Sequence, residues 1–354
     1  MVNQQESQAR IVTLKRPEHH YVLLITDDGS MLGLNKDGDP ALFYEADDRV
    51  IWDRTAIGVK HMATGKNVAV DIGNDVCTLS VGSDEVYFHM SHGPEKLPSE
   101  YLEHLQREGW VCLNSILQPE IVERLERVAC TGPYEHMEQN MDIPKICQDA
   151  AVCRAVAEPI SLWVLREYLQ TRDIHLGHPP GFNVLKPETL AQAGRRWHSD
   201  IPYIPSTSPQ PVFPRKGPPK ACNRNTCVSD FTHQNGATMF KPGSHRVDSG
   251  PPEEWNRALQ DDELPYSGPE ATVLEAPSGS MLLYDARTWH RAGFNRSEHK
   301  RAMMAQNYET PDVVPKRDTR PACEKLHRSP VYQELNTREQ RDITELLMNI
   351  AASQ

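Results

Sequence analysis

The chain has 354 residues, 38% hydrophobic and 25% charged, with a formal net charge of −11 at pH 7. That composition fits a soluble globular protein with a sizeable core and room for more than one domain. The acidic balance repels nucleic acid and anionic membrane, so neither is expected as a partner.

The N-terminus, "MVNQQESQARIVTLKRPEHH", is polar and lacks the apolar stretch of a secretory signal. Nothing in the chain approaches the roughly 18 consecutive apolar residues of a membrane span, so the expected compartment is the cytoplasm. Residues 10–92 read as β-rich and self-contained. Asp28 with Gly29, and Asp37 with Gly38, are hairpin turn signals between short apolar runs, and further turns fall near Gly73 and Gly82. "NKDGD" resembles a calcium loop but lacks the downstream bidentate glutamate, so it reads as a turn. A boundary at "SHGPEKLPSE" separates a β-rich N-terminal module, residues 1–95, from the remainder, residues 96–354.

Helices follow. Ser99 is the expected cap of the first, which Gly109 ends. Pro119 opens a second, closed at Gly132 and Pro133. A third run over 149–169 is expected to kink or break at Pro159. After Tyr168, short β-like runs alternate with Gly/Pro loops, the pattern of a barrel or sandwich. The tail returns to helix, with Thr337 as expected cap and Ile343, Leu346, Leu347 and Ile350 as its apolar stripe. The eight cysteines are dispersed and form no C-x-x-C. They read as free thiols, mostly buried, and a zinc site at Cys222 and Cys227 lacks its partner pair.

The stretch "RRWHSDIPY" places His198 and Asp200 two residues apart. On a strand that spacing puts both side chains on one face. Two histidines and a carboxylate hold a metal on one face of an octahedron and leave positions open for other ligands. By themselves the two residues are more often an ordinary polar pair. His290, after "GSMLLYDARTW", is the best third ligand. Arg301 follows eleven residues later and could pair bidentately with a carboxylate. Ser297 could add a hydroxyl, whereas strand alternation turns Lys300 to the other face.

"WHSDIPY", "VSDFTHQNGATMFKPGSHR", "GSMLLYDARTWHRAGFNRS" and Arg301 together resemble the phytanoyl-CoA dioxygenase family of Fe(II)/2-oxoglutarate-dependent oxygenases. The resemblance spans roughly residues 180–310. It implies an α+β, mainly β fold: a double-stranded β-helix (jelly-roll, cupin-like) core with flanking helices, preceded here by the small β-rich domain. It implies His198, Asp200 and His290 as iron ligands, and Arg301 as partner of the distal carboxylate of 2-oxoglutarate. Asn223, Arg224 and Asn225 depart from the more apolar residues usual there. Asn225 is the asparagine expected to touch the cosubstrate, or the polar set serves substrate. The cofactors implied are Fe(II), 2-oxoglutarate and O₂. The reaction implied is hydroxylation or another C–H oxidation of a small-molecule substrate, with 2-oxoglutarate converted to succinate and CO₂. A homodimer, a non-catalytic metal-binding scaffold and a cupin-like enzyme using another metal stay open.

The remaining candidates have plainer readings. His245, in a Gly-Ser-His turn, is expected to be structural and His233 solvated. His175 and His178 read as surface histidines, or as groups behind the ligands or against substrate. Trp197, Tyr203 and Trp289 are expected to pack in the core, Met303 and Met304 likewise, and Arg196 and Arg291 to be solvated loop cations.

Overall fold

The computed structural model describes residues 10–70, 72–73, 75–187, 196–200, 216–252 and 271–348. Strand β1 is Arg10–Thr13. Strands β2 to β10 are Val22–Ile25, Met31–Leu34, Pro40–Phe43, Trp52–Thr55, Gly58–His61, Asn67–Ala69, Ile72–Gly73, Val76–Val81 and Asp84–His92. Those nine form one antiparallel sheet. The two Asp-Gly pairs sit where expected, Gly29 between β2 and β3 and Gly38 between β3 and β4. The first strand does not join this sheet. Arg10–Thr13 pairs in parallel with Thr272–Glu275, far along the chain. The N-terminal module is therefore not self-contained. Its Leu23, Met31, Val50 and Ile51 also share one apolar cluster with Tyr101 and Leu105 of the next segment.

Helix α1 is Pro98–Glu108, with Pro98 rather than Ser99 at its start. Proline tolerates this position because its missing N–H would be unpaired there anyway. Ser99 instead donates its hydroxyl (2.6 Å) and backbone N–H (2.9 Å) to Asp48, tying the helix to the N-terminal module. Strand β11, Trp110–Leu113, follows. Helix α2, Pro119–Ala129, opens at Pro119 as expected. It ends at Cys130 in a left-handed conformation, two residues before the expected Gly132. Helices α3 (Ala150–Val156) and α4 (Pro159–Leu169) are the expected run broken at Pro159. Three further helices, Arg320–His327, Pro330–Gln333 and Thr337–Leu347, lie near the C-terminus. The cap of the last is Asn336, not Thr337: Asn336 accepts from the Glu339 N–H, and Glu339 accepts in return from the Asn336 N–H. Ile350 lies outside the described residues. Among the described residues, no helix is long and apolar enough to cross a membrane.

The core is a pair of sheets. The larger contains β11, β12 (His175–Leu176), β13 (Gly181–Leu185), β14 (Ala221–Cys227), β17 (Met281–Asp285) and β19 (Arg301–Glu309). The smaller orders β1, β16 (Thr272–Glu275), β15 (Thr238–Phe240) and β18 (His290–Ala292). This is the double-stranded β-helix. Side-chain alternation sorts each central strand of the larger sheet onto two faces. Val111, Leu113, Cys222, Met281, Leu283, Ala302, Met304 and Tyr308 face the helices. Cys112, Cys227, Leu282, Tyr284 and Met303 face the smaller sheet, meeting Met239, Phe240 and Val273. All eight cysteines are free, and seven are buried.

Gly109 closes α1 in a left-handed conformation, φ 78°, where a Cβ would lie 2.3 Å from Nδ1 of the buried His245. Gly109→Ala is expected to cost about 1–3 kcal/mol through the strained φ and the overpacking. A urea-denaturation midpoint equal to the parent's would refute this.

Candidate metal centre

His198 and His290 face each other across an isolated antiparallel bridge, each backbone N–H donating to the other's carbonyl at 3.0 and 2.9 Å. β18 carries His290 against Phe240 of β15. The Asp200 N–H donates to the Ala286 carbonyl (2.8 Å), which pins the carboxylate beside the turn before His290. The two rings lie 4.3 Å apart between centroids. Asp200 Oδ1 is 3.8 Å from His198 Nε2, and Oδ2 is 3.6 Å from His290 Nε2. These three side chains are, among the described residues, the one group of three or more His, Cys, Asp or Glu that could hold a metal ion.

Tautomers follow from the neighbours. Nδ1 of His198 lies 2.9 Å from the Arg196 carbonyl, and Nδ1 of His290 lies 2.9 Å from the Thr288 carbonyl. A carbonyl only accepts, so each Nδ1 carries the proton and each Nε2 offers a lone pair toward Asp200. Burial lowers the His290 pKa, Asp200 opposes that shift, and His198 adds to it. Its imidazole is thus biased to the neutral, ligating form. His198 is about half exposed and His290 nearly enclosed, so the group opens to one side.

A cavity of about 290 Å³ contains the three ligands. Its walls include His178, Asn183, Asn223, Asn225, Thr238 and Asn307, with Tyr284, Met303 and Ala305. No described residue of the N-terminal sheet lines it. Asn225 reaches the cavity and donates to the Tyr284 hydroxyl at 3.2 Å. Burial foremost, then Asp200, raises the Tyr284 pKa, so its hydroxyl stays protonated. Arg224, between the two asparagines, points away into the helices.

Arg301 begins β19 and is 1% exposed. Its guanidinium donates to the Gly236 carbonyl and stacks 4.2 Å over the Phe231 ring. It lies on the inward face of β19 with Met303, Ala305 and Asn307, but is not among the residues lining the cavity. Ser297 is not brought to the cavity: its hydroxyl donates within its own turn, to Asn295 Oδ1 at 2.6 Å.

Several plainer readings are corrected. His175 is buried, 3.5 Å from Glu309. Arg291 is fully buried against Trp197 and Phe294 rather than solvated. Met303 lines the cavity, whereas Met304 is core. Trp197 and Trp289 pack in the core as expected, and His245 is buried against Gly109, away from the triad. Arg196 is exposed. Tyr203 lies outside the described residues. Sequence reading missed Asn183, Asn307, Thr238 and Tyr284. Asn307 carried a signal: it is six residues from Arg301 on one strand, hence on the same face.

Fold and site together define a class: a jelly roll with two histidines and one carboxylate converging between its sheets, the donor set of the non-haem iron oxygenases. The chain belongs to the phytanoyl-CoA dioxygenase (PhyH) family of Fe(II)/2-oxoglutarate-dependent oxygenases, whose profile matches residues 105–303, more than half of its length. It is 31% identical over 97 residues to dioxygenase af480 of Aspergillus fumigatus. That match covers 27% of this chain and 28% of the fungal protein, so the chain spans less than a third of that relative. A crystal structure of the epimerase SnoN with Fe³⁺, alpha-ketoglutarate and nogalamycin RO is 15% identical, with TM-score 0.44, over 60% of this chain and 84% of that one. EvdMO1 is 15% identical, with TM-score 0.43, over 67% of this chain and 56% of that one.

Proposed function

We propose that this protein is a Fe(II)/2-oxoglutarate-dependent dioxygenase that hydroxylates or otherwise oxidises a C–H bond of a small, polar molecule. The observation that carries the reading is the convergence of two imidazole Nε2 lone pairs on one carboxylate, with both tautomers set by backbone carbonyls. His198, Asp200 and His290 would hold Fe(II). Such a metal, with 2-oxoglutarate and O₂, supplies the oxidising power for C–H chemistry while the cosubstrate becomes succinate and CO₂. Arg301 would hold the distal carboxylate of the cosubstrate, kept in place by the Gly236 carbonyl and the Phe231 ring. Asn225 would approach it from the cavity wall.

The walls support the polar substrate. Asn183, Asn223, Asn225, Asn307, Thr238 and His178 present donors and acceptors. An acyl chain would meet few apolar side chains there, chiefly Met303, Ala292 and Ala305. A small hydrogen-bonding molecule matches that surface better.

Anaerobic titration with Fe(II) and then 2-oxoglutarate tests the reading through the visible charge-transfer band of the metal–keto-acid complex. The parent is expected to show the band. Arg301→Ala is expected to weaken 2-oxoglutarate binding about 10–150-fold, the equivalent of one charge-assisted bond of about 1.5–3 kcal/mol. Iron-loaded, folded parent without the band would favour a metal-binding scaffold or an enzyme using another metal.

A further inference from the structure

We propose that His178, Asn307 and Asn223 form a positioning relay that sets the orientation of the Asp200 carboxylate from the wall of the substrate cavity. The inference rests on the metal reading above. Asn223 and Asn307 are register partners on adjacent strands β14 and β19, and both face inward. Asn223 Nδ2 donates to Asp200 Oδ2, and Asn307 Nδ2 donates to Asn223 Oδ1. His178 Nε2 lies 3.0 Å from Asn307 Oδ1 at the outer end. The Gly177 N–H donates to the Asn307 carbonyl (2.9 Å), so the loop carrying His178 is fastened to the same residue.

The direction of the chain is fixed by its inner end. A carboxylate only accepts, so Asn223 must present its NH₂ to Asp200 and its oxygen to Asn307. Asn307 must then present its NH₂ inward and its oxygen to His178 Nε2, which donates when it carries a proton; Nδ1 faces a second acceptor, the Pro179 carbonyl at 2.8 Å. Reversing either amide would set oxygen against oxygen. Each amide is thus used at both ends, and neither can turn without breaking two hydrogen bonds. Asp200 needs this support more than His290 does. Its side chain is 30% exposed against 7% for His290, and it follows the bridge that binds the two histidines rather than belonging to it. Groups that hydrogen-bond metal ligands typically account for about 10–100-fold in metal affinity or activity.

The test is metal affinity of the full chain, measured anaerobically with Co(II) by its visible absorption and repeated with Fe(II). Asn307→Leu keeps the volume and removes both hydrogen bonds. It is expected to weaken metal binding about tenfold, and Asn223→Leu about 10–100-fold. Because Asn307 acts only through Asn223, the double variant should bind no more weakly than Asn223→Leu alone; a general structural loss would instead add. His178→Phe, at the half-buried outer end, should weaken binding in the same direction by less, and it decides the matter if Asn307→Leu does not fold. Unchanged affinity in folded Asn307→Leu and His178→Phe, or additive losses in the double variant, would overturn the relay. A parent that binds neither metal would instead overturn the metal centre itself.

Discussion

His290→Ala is expected to reduce metal affinity and any metal-dependent turnover by more than about 100-fold, because loss of a ligand must exceed the roughly 10–100-fold typical for losing a group behind a ligand. The fold should survive the change. The strand position of His290 is secured by backbone bonds to His198 and by the β15 register, neither of which uses the imidazole. His245→Ala is the control. Both histidines are buried, and burial lowers the pKa of both. Only His290 has its Nε2 aimed at Asp200. Co(II) affinity measured on the two variants should fall for His290→Ala and stay within about threefold of the parent for His245→Ala, whose site lies beside α1. The opposite result would reassign the third ligand.

The triad was legible because its signal is local and repeats a chemical need: two residues at strand spacing, then a third at the start of a later strand. The broken helix over 149–169 was legible for the same reason, since Pro159 acts on its own backbone. What sequence reading missed was set by partners distant along the chain. Arg10–Thr13 left the N-terminal sheet because its hydrogen bonds are met by Thr272–Glu275, some 260 residues away. Ser99 looked like a helix cap, but the hydroxyl is taken by Asp48. Ser297 looked like a cosubstrate contact, but Asn295 occupies it. Arg291 looked like a solvated loop cation, but strand alternation placed it on the face opposite His290, under Trp197 and Phe294. The polar triplet Asn223, Arg224 and Asn225 was visible as unusual, and alternation alone could have divided it: two amides to the cavity, one cation to the helices.

That division makes Arg224→Ala the substitution with the largest expected effect on stability, about 3–5 kcal/mol, combining a large-to-small cavity with orphaned polar groups. Arg224 is fully buried, and burial pulls its pKa below the usual arginine range. Its guanidinium donates to the carbonyls of Ala155 and Val156, both at 2.8 Å, and to the Ser161 hydroxyl at 2.6 Å, and it lies 4.7 Å over the Tyr308 ring. It therefore closes the end of α3, grips the start of α4, and fixes both to β14. Val156 keeps a second donor in the Tyr308 hydroxyl (3.0 Å), so the Ala155 carbonyl bears most of the loss. Arg224→Met keeps much of the volume and should cost only the polar part, about 1–3 kcal/mol. Urea denaturation of both variants separates the contributions. Equal costs for Ala and Met would show that packing matters little there, and no cost for either would show that the carbonyls find water instead. Metal affinity of the folded variants should stay near the parent's, because the neighbouring Asn223 and Asn225 reach the cavity from the opposite face of the same strand.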